Sequence, residues 1–171
     1  MKPTGPASSA AHALKCELAG EVLRSSGKLR LQVTGWSMLP AVWPGDTLIL
    51  EHVNTNAVSE GDIVLFSHDR RLFAHRVVKR RSEDAKIQTR GDAMPQPDRP
   101  VSDGNLLGKV SFIVRDGKAM APARSLGFPQ RAAAALMRRS EFAARLVAGL
   151  HGRLQALRGQ NPSDRAVSCE S

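Results

Sequence analysis

The chain of 171 residues contains no tyrosine, and two tryptophans with five phenylalanines bring its aromatic content to only 4%. Its core must therefore be filled by Leu, Val, Ile and Ala, and aromatic platforms for stacking nucleobases are scarce. Cysteine is nearly absent too. Cys16 and Cys169 stand near opposite ends, which makes neither a disulfide framework nor a metal-ligand spacing; two free thiols in a reducing compartment are expected, with a terminal clip between them as the alternative in an oxidising one. No run approaches the ~20 apolar residues that span a bilayer. Residues 1–13 lack a basic stretch followed by an apolar one, so no secretory signal is read there. Acidic residues are outnumbered: 25 Lys and Arg face 16 Asp and Glu, for a formal net charge of +9. The expectation is a cytoplasmic protein, at most peripheral at a membrane surface.

What is present suits one domain with tails, since 42% of residues are hydrophobic. Residues 1–9 read as a disordered leader. Over 10–26, Leu14, Leu18, Val22 and Leu23 recur at three- and four-residue spacing, as in an amphipathic helix, with Gly27 to end it. Short runs rich in β-formers follow at 29–34, 47–53, 62–67, 72–79, 86–89 and 106–115, punctuated by Gly45-Asp46, Glu60-Gly61 and Asp116-Gly117. Strands at this spacing without intervening helices predict a mainly β fold, a coiled antiparallel β-sheet domain over 29–118. From Pro129 the pattern changes. Leu136, Ala143, Leu150 and Leu157 fall seven apart, as do Arg131, Arg138 and Arg145, which predicts a basic amphipathic helix over 129–158 before a tail at 159–171.

Three segments carry the residue types of acyl-transfer chemistry. Ser37 lies in Gly35-Trp36-Ser37-Met38-Leu39-Pro40, His75 in Phe73-Ala74-His75-Arg76-Val77, and Asp92 and Asp98 in Gly91-Asp92-Ala93-Met94-Pro95-Gln96-Pro97-Asp98. A serine hydroxyl needs a base to take its proton. Histidine takes and returns a proton near neutral pH without heavy tuning, and works best when a third group holds its tautomer. Read singly, each residue has a plainer role: Ser and Pro favour turns, Gly-Asp and Pro-Asp suit loops, and a strand histidine is often a satisfied core residue. His12, His52, His68 and His151 show no metal-like spacing and are read as surface residues.

Taken together, these boxes resemble the type I signal peptidases and their LexA-like relatives. The Ser37 box followed by Gly45-Asp46 is similar to that family's nucleophile box, and Gly61-Asp62-Ile63-Val64-Leu65-Phe66 to its next strand. His75 directly before Arg76-Val77 resembles the Ser-His branch, the archaeal and endoplasmic-reticulum type, where bacterial members carry a lysine. Gly91-Asp92 with Asp98 six positions on resembles the acidic box of that branch. The resemblance spans roughly residues 29–114 and implies Ser37 as nucleophile, His75 as general base, Asp98 as its orienting acid and Asp92 as a supporting acid. It also implies substrate contacts at Gly35, Met38 and Pro40, an extended peptide as substrate, and no metal or cofactor. The chain departs from the pattern at Gly35, where some bacterial members place an oxyanion-holding serine, and at Ala93-Met94, where many relatives are polar.

The expectation is thus a serine endopeptidase of signal-peptidase-like type working through an acyl-enzyme. One rival is a self-cleaving regulator of the LexA kind. It would need a cleavage dipeptide such as Ala19-Gly20, but too little chain precedes that pair for a DNA-binding module, and its base is lysine. The other rival is an inactive descendant that binds a peptide or partner. Residues 129–158 are expected to meet a protein partner or, as a peripheral contact, a membrane. Nucleic acid is not an expected partner, because no recognition motif is present.

Overall fold

The computed structural model describes residues 6–81 and 86–139. In chain order these form helix α1 (Pro6–Ser26), strands β1 (Lys28–Gln32), β2 (Thr47–Glu51), β3 (Ile63–His68), β4 (Arg71–Arg81), β5 (Lys86–Arg90), β6 (Leu106–Arg115) and β7 (Lys118–Met120), and helix α2 (Phe128–Arg139). The strands make one seven-stranded sheet of order β1-β2-β6-β3-β4-β5, with β7 added to the end of β6, and every pairing is antiparallel. Register shifts at Ile49/Leu50, Leu65/Phe66 and Val77/Lys79 break the ladders. Each such irregularity increases local twist and bends the sheet.

Strand β3 shows why the sheet is central. Its sequence Ile-Val-Leu-Phe has no polar alternation because both faces are covered. Ile63 and Leu65 join Leu23, Met38, Val42, Leu48, Leu50, Val110 and Ile113 in one core cluster. Val64 and Phe66 join Val58, Val77, Ile87, Val101 and Leu106 in a second. The β3–β4 hairpin turns at Asp69 and Arg70, with φ of 47° and 59°, and the β6–β7 hairpin at Asp116 and Gly117, with φ of 49° and 76°. Two successive positive φ values are what a two-residue turn needs to match the right-handed strand twist.

Helix α1 starts at Pro6, four residues before its expected start and inside the expected leader; residues 1–5 lie outside the described residues. It ends as predicted at Gly27, whose φ of +72° closes the helix through an N–H donated to the Leu23 carbonyl at 3.0 Å. Its apolar residues do not bury one face, however. Leu23 and Ala19 are buried, while Leu14, Leu18 and Val22 are 56%, 55% and 39% exposed. The docked side is the one that carries Ala19, Gly20 and Leu23, and a Cβ added at Gly20 would make an ordinary van der Waals contact with Leu107 at 3.5 Å.

Helix α2 confirms helical structure from 128 to 139 and buries Ala134, but Leu136 on its expected apolar face is exposed. The remainder of the predicted basic helix, together with the tail and Cys169, lies outside the described residues. Among the described residues no helix is long and apolar enough to cross a membrane.

Candidate active site

Ser37 sits in the connector between β1 and β2, a loop closed at its base by the strands it joins. The Val33 N–H donates to the Asp46 carbonyl and the Gly45 N–H to the Val33 carbonyl, each at 2.8 Å. Met38, Leu39 and Val42 anchor the loop in the core. Asp46, 1% exposed, is the polar pin. Its carboxylate accepts from the Trp43 N–H at 2.7 Å and from the Arg115 guanidinium at 2.9 and 2.6 Å, while Arg115 also donates to the Ala41 carbonyl at 3.2 Å. The hydrogen bonds to Asp46 hold the Arg115 guanidinium proton more tightly than usual, outweighing the opposing effect of partial burial. With its neighbours fixed inside, Ser37 is left half-buried at the rim.

His75 stands on β4 opposite Val64 of β3 and is 4% exposed. Its ring packs beside Phe66 and Phe73, with centroids 5.9 and 5.8 Å away. These apolar walls exclude water from one side of the imidazole, which strengthens the hydrogen bonds it makes. Its Nε2 lies 2.9 Å from Ser37 Oγ and its Nδ1 2.7 Å from Asp98 Oδ2. An ionised carboxylate only accepts, so Nδ1 carries the ring proton and Nε2 presents its lone pair to the serine hydroxyl.

Asp98 belongs to the irregular segment after β5. Its N–H donates to the Thr89 carbonyl at 2.8 Å, and its Oδ2 accepts the Thr89 hydroxyl at 2.7 Å. Asp92, expected beside it as a supporting acid, has a different partner. Arg76 Nε and Nη2 donate to its two carboxylate oxygens at 2.9 and 2.8 Å, and both side chains are almost wholly buried. Arg76 Nη1 also donates to the carbonyls of Gly61 and Ala123, at 2.8 and 2.6 Å. The guanidinium next to His75 in sequence therefore ties β4 to three other segments.

Gly91 explains how the acidic segment reaches the serine. A Cβ there would meet the Ser37 carbonyl oxygen at 2.6 Å, Met94 Cγ at 2.7 Å and His75 Nε2 at 3.2 Å. Only a hydrogen side chain permits that approach, and it lets the Ala93 N–H donate to the Ser37 carbonyl at 2.9 Å.

The expected substrate contacts lie apart in character. Gly35 is exposed, and a Cβ added to it would meet nothing within 4 Å. Pro40 is half-buried, its carbonyl accepting from Trp43 Nε1 at 3.0 Å. Met38, expected at the substrate, is 3% exposed and packs in the core cluster around Leu23 and Leu65. Among the described residues, no three His, Cys, Asp or Glu side chains converge to hold a metal ion.

Reading the sequence singled out Ser37, His75 and Asp98, which the fold brings into one chain of hydrogen bonds. It missed Thr89, Arg76, Asp46 and Arg115 as contributors. Asp46 and Arg76 stood inside quoted motifs, whereas nothing local marks Thr89 or Arg115, whose partners lie 9 and 69 residues away.

No curated protein matches the sequence. A family model described as Peptidase S24-like does match, over residues 6–111, a span holding α1, Ser37, His75, both aspartates and most of β6. The matched span holds strands β1–β5 and the whole Ser37–His75–Asp98 hydrogen-bond chain, and the chain belongs to the Peptidase S24-like family, within the LexA and signal-peptidase-like superfamily of serine peptidases.

Proposed function

We propose that the chain is a serine endopeptidase in which Ser37 is the nucleophile, His75 the general base and Asp98 the residue that orients it. The observation that carries this reading is the unbroken contact from Ser37 Oγ to His75 Nε2 at 2.9 Å and from His75 Nδ1 to Asp98 Oδ2 at 2.7 Å. Three segments remote in sequence meet there in donor–acceptor order.

The chemistry follows from that order. As Ser37 Oγ attacks the scissile carbonyl, its proton passes to His75 Nε2, and the imidazolium that forms is stabilised by the Asp98 carboxylate. Collapse of the tetrahedral intermediate breaks the C–N bond, and His75 returns the proton to the departing amine. Water then gives a proton to His75 and its oxygen to the ester carbon; the bond from that carbon to Ser37 Oγ breaks as His75 passes the proton to Oγ, which releases the acid and restores both Ser37 and the neutral imidazole. The oxyanion would be met by the Ser37 backbone N–H, since Gly35 offers no hydroxyl. Asp92 serves the framework through Arg76 in this scheme and does not act on the proton. An extended peptide is the fitting substrate, because a site on a sheet accepts a strand most directly.

Cleavage of another chain fits better than self-cleavage at Ala19-Gly20. That dipeptide is helical and buried, and a peptidase needs its scissile bond extended and accessible. Turnover of a peptide library by wild type, Ser37→Ala and His75→Ala tests the proposal, with acylation by a serine-reactive phosphonate probe as a second readout. Loss of both signals in both variants, with melting temperature unchanged, is the expected result. Peptide binding that persists in Ser37→Ala, with no Ser37-dependent acylation of the wild type, would mark a non-catalytic peptide-binding descendant instead.

A further inference from the structure

Thr89 stands at the end of the hydrogen-bond chain and belongs to none of the boxes. It lies on β5 in register with Val77 of β4 and is 0% exposed. A hydroxyl that water cannot reach has to find its partner inside the protein. Thr89 Oγ1 finds it in Asp98 Oδ2 at 2.7 Å, the same oxygen that lies 2.7 Å from His75 Nδ1. The Thr89 carbonyl also accepts the Asp98 N–H at 2.8 Å. One strand residue thus grips the aspartate at backbone and side chain together.

That grip supplies what Asp98 lacks by itself. The aspartate sits outside regular structure and its side chain is 26% exposed, whereas His75 is held on a strand paired on both sides. A free carboxylate in that position would rotate and exchange its partner for water. Thr89 is β-branched and therefore stiff at χ1, so its hydroxyl is aimed from a fixed strand position. Because a carboxylate accepts while the hydroxyl donates, the contact also holds Asp98 as acceptor towards the imidazole.

We infer that Thr89 is a positioning residue of the site: its hydroxyl orients the Asp98 carboxylate, keeps the His75 proton on Nδ1 and so leaves Nε2 as acceptor for Ser37. The role rests on the Ser-His-Asp peptidase reading, but the hydrogen-bond chain is observable without turnover. Full-length wild type, Thr89→Val, Thr89→Ser and Asp98→Asn are compared by steady-state kinetics on a cleaved peptide, by low-field proton NMR of the imidazole Nδ1–H and by thermal melting. Thr89→Val is expected to lower kcat about tenfold, the scale of one hydrogen bond to a charged group, with KM within about twofold. Thr89→Ser should restore most of the loss, since it returns the donor. The Nδ1–H resonance should disappear in Asp98→Asn, exchange faster with solvent in Thr89→Val and recover in Thr89→Ser.

An unchanged kcat and an unchanged resonance in Thr89→Val would overturn the role. So would a Thr89→Ser variant as impaired as Thr89→Val, because the hydroxyl would then not be the operative group. Should Thr89→Val fail to fold, Thr89→Ser still decides: a resonance and kcat near wild type support the role, and loss of both refutes it. Wild type that shows the resonance and its Thr89 dependence, yet no Ser37-dependent turnover, would retain the positioning role and sink the peptidase reading alone.

Discussion

The connector that carries Ser37 and the segment that carries Asp98 both lack regular structure, yet they are held in place by different means. The first is pinned at its base by backbone hydrogen bonds, by three buried apolar side chains and by the Asp46–Arg115 ion pair. The second leans on its neighbours: Gly91 lies against Ser37, Asp92 is gripped by Arg76, and Asp98 is gripped by Thr89. In the proposed mechanism the nucleophile must stay put while its partner is charged and discharged. Redundant anchoring gives that, whereas the acid's orientation depends on a few single contacts.

The comparison makes the two aspartates and the two loops separable by mutation. The largest effect should come from the reacting groups themselves. Ser37→Ala or His75→Ala should reduce kcat at least about 10⁴-fold, since removing one member of a cooperating set removes most of its shared effect. A circular dichroism melt should be unchanged. Next, Asp98→Asn and Asp92→Asn should divide activity from stability. The first should cut kcat about 10³-fold or more by spoiling the imidazole tautomer, at constant melting temperature. The second strands the Arg76 charge, 8% exposed, inside the protein. It should cost about 3–5 kcal/mol in denaturant unfolding, as breaking a buried pair does.

Gly91→Ala comes third. Its Cβ must push the Ser37 carbonyl or Met94 away, and a displacement near 1 Å at a reacting group costs about 100-fold in rate. The smallest effect belongs to the well-anchored connector. Arg115→Lys keeps the charge but loses the fork that meets both Asp46 oxygens, for about 1–2 kcal/mol. The pH dependence of the Arg115 contribution, measured against Arg115→Ala, follows from the direction of its shift. A guanidinium whose proton is held more tightly when folded contributes fully at any pH below its unfolded ionisation, and loses that contribution only as pH rises through the still higher folded value. The stability gap to Arg115→Ala should therefore stay flat from about pH 6 to pH 10 in urea titrations. A gap that shrinks across that range would show that Arg115 is not the partner that matters.

Much of the sheet was legible because its signals are local. The apolar run Ile63–Phe66, the alternation before Thr34 and the turn residues between them each follow from the pleat and from turn chemistry over a few residues. Asp116-Gly117 was read as a stop and is a hairpin, because β7 is three exposed residues long and has no apolar pattern to announce it. Leu14, Leu18 and Val22 carry a helix period, yet the helix docks through Ala19, Gly20 and Leu23, a choice set by the sheet it meets and not by its own spacing. Met38 likewise shows its burial only once Leu23, Leu65 and Val110 close around it.

Order along the chain and short-range pattern were enough to determine an antiparallel β domain, and the resemblance of four sequence boxes to a peptidase family was what nominated Ser37, His75, Asp98 and Asp92. Those properties depend on neighbours within a turn or a strand. That Asp92 meets Arg76 and not the histidine, what holds each aspartate, and how near Gly91 must come to Ser37 were decided by tertiary structure alone. Each is a contact between segments far apart in sequence, set by sheet register and strand curvature, and no local pattern encodes either.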